Sequence, residues 1–253
     1  MANDNSLDLE AGSSQYASVA DTVSLSITGN ITVEAWVKPE SYAQFATPHT
    51  VVSKFNEGAA NQRSYFLYFT SETDPTSAIS FRYDASGDGA NRCTGNSTTT
   101  VSTGSWIHIA AKATVASKII QFNFNGGADE DVTEVEAGTP TSIVDSTAAF
   151  SIGCAFTNGT AEYFFDGLID EVRVWSAVRT STEIANNYLA ELVGNETNLQ
   201  GYWQLDNDYL DMTANNNDLT ATGSPVFSTD VPFSGAPPAG GTAGFRSLMG
   251  VGI

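Results

Sequence analysis

The chain has 253 residues, 29 acidic against 10 basic, and a formal net charge of −19. That charge opposes a polyanion, and with no Lys/Arg cluster along the sequence it excludes nucleic acid and anionic membrane as partners. No apolar run approaches the roughly 20 residues that span a bilayer, and the length suits one large all-β domain.

The start, Met1-Ala2-Asn3-Asp4-Asn5, has neither a basic segment nor an apolar one, so it predicts no secretory signal in this sequence. Beyond it, short alternating segments separated by Gly, Asn, Asp and Ser predict strands over residues 31–38, 50–55, 64–70, 78–83, 106–114, 119–124, 150–155 and 167–175. In the first, Ile31, Val33, Ala35 and Val37 form an apolar face and leave Thr32, Glu34, Trp36 and Lys38 opposite. Ile107, Ile109, Ala111 and Ala113 repeat the pattern further on. Residues 84–89 imitate the start of a calcium loop, but Gly95 stands where its bidentate Glu belongs, so an ordinary turn is expected. Asn125-Gly126 signals a tight turn, since both residues tolerate positive φ. Cys93 and Cys154 have no metal or redox spacing, which leaves one disulfide or two free thiols open.

Strand 167–175 carries the strongest functional signal. Strict alternation puts Leu168, Asp170, Val172 and Val174 on one face and Ile169, Glu171, Arg173 and Trp175 on the other. Asp170 would then face the core, where a carboxylate must be paired, hydrogen-bonded or bound to metal. After it, Thr180 and Glu183 form a capping box, Ile184, Tyr188, Leu189 and Leu192 form an apolar stripe, and Gly194 supplies a stop: one helix is predicted. The expected fold is thus an all-β, antiparallel two-sheet sandwich with one short helix over residues 1–233. A Gly/Pro/Ala linker and apolar tail follow over 234–253, with Phe245, Leu248, Met249, Val251 and Ile253 available to dock on a partner.

Several segments together resemble the laminin-G-like jelly rolls of the concanavalin A-like lectin/glucanase superfamily. They are residues 7–9 and 15–17, 27–39 (Ile-Thr-Gly-Asn-Ile-Thr-Val-Glu-Ala-Trp-Val-Lys-Pro), 104–110 (Gly-Ser-Trp-Ile-His-Ile-Ala), 165–175, 201–206 and 215–219. The resemblance covers about residues 5 to 230 and implies a jelly-roll sandwich, but fold does not settle ligand. It also implies one structural Ca2+ held by Asp170, with Asp211 and Asn216 from the Asp/Asn-rich stretch 206–218 as candidates to complete it, although Ala214 replaces the usual Gly of that turn. The competing reading is that Asp170 accepts backbone N–H bonds and that the stretch merely turns.

The Glu pair that retaining glycosidases of this scaffold carry on one strand is missing, since the comparable strand offers Asp166, Leu168 and Asp170. His108 reads as structural, and no nucleophile elbow, Walker loop or dinucleotide fingerprint is present. Trp36 and Trp175, with Tyr65 or Tyr68, are candidates to stack on sugar rings. The leading expectation is therefore a non-catalytic adhesion or coat module, a bacteriophage virion accessory such as a decoration, tail or fibre protein, partnered by capsid or tail subunits or by itself. Next comes a secreted calcium-dependent lectin that binds glycans, then a glycoside hydrolase; the expected location is a virion or the extracellular space.

Overall fold

A computed structural model describes residues 3–42, 48–70 and 76–234. The proposed docking residues Phe245, Leu248, Met249, Val251 and Ile253 lie outside the described residues. Two antiparallel sheets face each other. The first contains β1 (Ser6–Leu9), β3 (Ile31–Pro39), β8 (Ile107–Thr114), β9 (Ile119–Phe124), β10 (Asp129–Asp131), β15 (Gly167–Trp175), β16 (Leu199–Trp203) and β18 (Val226–Ser228), in the order β10-β9-β8-β3-β15-β1-β18 with β16 also on β15. The second contains β2 (Tyr16–Val19), β4 (His49–Glu57), β5 (Arg63–Phe69), β6 (Thr76–Asp84), β7 (Arg92–Ser102), β11 (Val135–Ala137), β12 (Phe150–Ile152), β13 (Ala155–Thr157), β14 (Thr160–Glu162) and β17 (Thr220–Thr222), in the order β11-β7-β6-β5-β4-β12-β2-β17. The β13–β14 hairpin joins β4 in parallel and folds beside the outer face of that sheet.

The core lies between the sheets. Ile31, Val33, Ala35 and Val37 enter it from one side, with Ile109, Ala111 and Ala113 beside them; Tyr65, Leu67, Phe69, Ile79 and Phe81 enter from the other. This is the expected jelly-roll sandwich, and all eight expected strands are found. Residues 150–155 break into two strands because Gly153 turns the chain at φ +85. Asn125 and Gly126 adopt φ of 51 and 64, as a tight turn requires. β7 escaped notice because its inward positions are Cys93, Gly95 and Ser97, which give no apolar rhythm.

A bulge in β15 breaks strict alternation. Asp170 pairs with Trp36 and Arg173 with Glu34, so three steps on β15 oppose two on β3. Glu171 is the extra residue, at φ +52, and this bulge reverses the faces on either side of it. Ile169, Val172 and Val174 therefore point into the core, while Asp170 points outward with Leu168, Arg173 and Trp175. The face predicted to unite Asp170 with Val172 and Val174 is corrected accordingly.

The one α-helix among the described residues, α1 (Ser181–Asn187), begins at the predicted capping box: Glu183 N–H donates to Thr180 Oγ1 and Thr180 N–H to Glu183 Oε2. It ends well before Gly194, because Arg173 donates to the carbonyls of Asn187 and Ala190 at 3.1 and 2.6 Å and draws the chain down onto the sheet. Leu189, assigned to the buried stripe, is consequently 51% exposed. Cys93 and Cys154 are both buried as free thiols.

Candidate functional site

The outer face of the first sheet is covered. Trp36 donates from Nε1 to the Tyr188 carbonyl at 2.7 Å, its ring stacks on Tyr188, and Phe233 packs against its other surroundings at 6.1 Å. Asp230 accepts from Lys38 and from Trp106 Nε1, so the segment after β18 straps across the same face. Beneath this cover lies a chain of buried charges. Glu171 Oε2 meets Arg173 Nη2 at 2.6 Å, Tyr202 donates to the same carboxylate, and Glu34 lies 3.8 Å from Arg173 Nη1 and 3.3 Å from His108 Nε2. Burial pushes the Glu171 carboxyl up to about 7 against the pull of Arg173, and it pushes the His108 imidazole down, towards the neutral form. Glu34 and Glu171, the two carboxylates that could have served a hydrolase on this sheet, are fully buried and paired.

The predicted residues fall into separate places. Asp170 is buried; Asn3 Nδ2 donates to its Oδ2 at 2.8 Å and the Glu171 N–H to its Oδ1 at 3.0 Å. Burial, then the charge of Glu171, holds its carboxyl well above the usual range, and Asp206 adds to the effect. Asp211 belongs to a different network, accepting the N–H groups of Tyr202, Thr213 and Asn217 and the Asn217 amide. Asn216 is exposed and donates to the carbonyl of Ala214 within its own turn. No described hydrogen bond joins the three to one another, and no group of three His, Cys, Asp or Glu side chains suited to a metal ion exists among the described residues. What Asp170 does have beside it is an orphan: Asn3 Oδ1 is buried without a hydrogen-bond partner.

Of the candidate stacking residues, Trp175 is fully buried with Arg179 4.0 Å above its ring, and Trp36 is sealed under Tyr188. Tyr65 faces the core and donates its hydroxyl to the Leu25 carbonyl. None of these three presents a ring to solvent. Tyr68 differs. Alternation along β5 sends Phe66 and Tyr68 outward while Tyr65, Leu67 and Phe69 fill the core.

On the outer face of the second sheet Tyr68, Arg82, Thr94, Asn96 and Ser18 reach solvent, while Phe66, Ser53, Ser151, Ser80 and Thr50 are buried beneath neighbouring segments. Register places Thr94, Arg82, Phe66, Ser53, Ser151 and Ser18 in one row across six strands, and Asn96, Ser80, Tyr68 and Thr50 in the next. Phe66 stacks on half-buried Tyr68 with ring centroids 4.2 Å apart and on Phe55 at 5.0 Å, fixing the Tyr68 ring from below. Tyr163, on the hairpin side, donates its hydroxyl to Glu57 at 3.2 Å and borders the same cluster. Past the hairpin, half-buried Tyr16 meets Phe156 at 5.9 Å and Phe164 at 6.2 Å. Aromatic rings beside amide, hydroxyl and guanidinium groups form a surface that can stack on a sugar ring and hydrogen-bond its hydroxyls. The sequence signal for it was an apolar β5 with aromatics on both faces; only Tyr68 had drawn notice.

Solved structures share this architecture. A candidate carbohydrate-binding protein from Bacteroides ovatus is 20% identical with a TM-score of 0.63; the match covers 92% of this chain, which spans 62% of that protein's length. The sialidase module CBM40 of Ruminococcus gnavus, bound to α2,3-sialyllactose, is 17% identical with a TM-score of 0.51, over 72% of this chain and 95% of that one. The enzymatically active domain of tailspike protein 2 from bacteriophage CBA120 is 14% identical with a TM-score of 0.51, over 71% of this chain and 27% of that one. No curated protein matches the sequence. The profile of a laminin-G-like family described as the concanavalin A-like lectin/glucanases superfamily matches residues 11–185, more than half of the chain, and the protein belongs to that family.

Proposed function

We propose that the protein is a non-catalytic adhesion module that binds glycans on the outer face of its second sheet. The observation that carries this is the stack Phe55–Phe66–Tyr68, which supports a partly exposed ring on the outer face of the second sheet while the equivalent face of the other sheet is roofed by α1 and the C-terminal strap. The Ruminococcus gnavus module is a sandwich of this fold described with a bound saccharide, which agrees with the reading. A hydrolytic role finds no support, because Glu34 and Glu171 are sealed from substrate. The setting we assign to the module is a virion surface, with a secreted system as the alternative, and association of the purified chain with capsid or tail proteins distinguishes them. Ca2+ enters in reduced form: Asp170 and the orphan Asn3 Oδ1 would supply oxygens, without Asp211 and Asn216.

The decisive experiment is binding to a broad panel of immobilised polysaccharides. Tyr68→Ala should lower the affinity of the folded protein at least tenfold, about 1.4 kcal/mol, beyond any change in the melt from the lost stack on Phe66. Absence of any glycan binding, or binding indifferent to this substitution, overturns the assignment.

A further inference from the structure

The chain carries only 10 basic residues against 29 acidic ones, yet three arginines distant in sequence meet beside the aromatic stack. Arg63 pairs across from Phe55, Arg82 from Phe66, and Arg92 from Asp84 one strand further. The guanidinium carbons of Arg63 and Arg82 stand 5.8 and 5.2 Å from the centroid of the Phe55 ring. Gly89 fits between them: a Cβ added there would lie 2.3 Å from Arg63 Nη1 and 3.0 Å from Arg82 Nη2. Burial, and after it the like charges of Arg92 and Arg63, lowers the Arg82 guanidinium from its ordinary value against the pull of Asp84.

The acceptors supplied by the protein fall short of these donors. Glu57 takes Arg63 Nη2 at 3.2 Å, and Asp84 Oδ2 takes Arg82 Nη2 at 3.3 Å. The other Asp84 oxygen is occupied by the N–H groups of Ser86 and Gly87. Asp88 turns its carboxylate to Ser86 and Ala90 and offers Arg63 only its carbonyl, and Arg92 donates to the carbonyl of Gly89. Arg63 Nε and Arg82 Nε are buried without a partner, while Arg82 Nη1 makes no bond among the described residues and belongs to a side chain that is 16% exposed. A planar fork with an unused outer donor, at the Phe55 end of the aromatic row that Tyr68 closes at the other end, can hold a carboxylate.

Resting on the glycan-binding reading above, we infer that the ligand is an acidic glycan, whose sugar ring stacks on Tyr68 while its carboxylate is held by Arg82 with Arg63 and Arg92. With Glu57, Asp84 and Asp88 beside the three arginines the place is charge-balanced, which sets it apart from a chain of net charge −19. Two of the three arginines also brace the loop after β6 through backbone carbonyls; Arg82 forms no such bond among the described residues, so it is the residue to change.

The test measures binding of polygalacturonate, alginate and hyaluronate, each beside its methyl ester, at 0.15 M salt. At least tenfold preference for the acid form of one of them is expected, and Arg82→Gln, measured on the folded fraction because Asp84 loses its partner, should erase most of that preference without altering the binding of the ester. Equal binding of acid and ester, or a preference that survives Arg82→Gln, overturns the inference. Tyr68-dependent binding of neutral glycans alone would leave the adhesion function standing and remove the acidic ligand; binding to no glycan would remove both.

Discussion

The two sheets bury similar apolar inner faces and treat their outer faces in opposite ways. On the first, charge is sealed in: Glu34, His108, Glu171 and Arg173 are at most 1% exposed beneath α1. On the second, charge and aromatics stay partly open, with Arg63, Arg82 and Tyr68 at the edge of solvent. Buried ion pairs contribute little net stability because desolvation offsets their attraction, but losing one partner is costly. The covered face is therefore where substitutions should unfold the protein, and the open face is where they should chiefly alter binding.

The largest effect is expected at Arg173. Arg173→Met strands Glu171 and Glu34 as buried carboxylates and removes the anchors of α1, so a loss of about 3–5 kcal/mol is expected in denaturant unfolding. The deficit should shrink as pH falls. A buried carboxylate without its cation has a folded pKa above its unfolded one, so the folded state binds more protons and gains stability on acidification. A loss below about 1 kcal/mol would erase the contrast between the faces.

An intermediate effect tests the reduced calcium proposal on the covered face. Calcium at a hundred times its Kd should raise stability by about 2.7 kcal/mol. Asp170→Asn should abolish the response and Asn216→Ala should preserve it, since only Asp170 adjoins the orphan oxygen of Asn3. A melt indifferent to both calcium and chelator removes the ion from the account.

The smallest effect concerns the roof itself. Thr180→Ala deletes one half of the capping box and should cost about 1 kcal/mol in unfolding, leaving glycan affinity unchanged because α1 lies across the other sheet. A fall in affinity would show that the two faces are coupled.

The inner faces were legible in the sequence because period-two alternation reports burial directly, as Ile31 to Val37 and Ile107 to Ala113 illustrate. The outer faces were not, since alternation says that Trp36 and Tyr68 both point outward and is silent on what lies above them. Asp170 was misread for a different reason: one residue at positive φ reverses the alternation, and Glu171 is not a residue that announces such a backbone. Likewise, Arg63, Arg82 and Arg92 are spread over 30 residues and form a cluster only once β5, β6 and β7 pair. Any reading of local charge density along the chain passes over them.

The two buried thiols make the molecule its own reporter of breathing. Burial pushes the Cys93 thiol up to about 11 and the Cys154 thiol up to about 12, so neither reacts until the surrounding structure opens. Cys93 lies on β7, next to β11 at the end of the second sheet, and Cys154 between β12 and the hairpin. Their separate rates of alkylation in native buffer would thus time the opening of two parts of the second sheet independently, without any label being introduced.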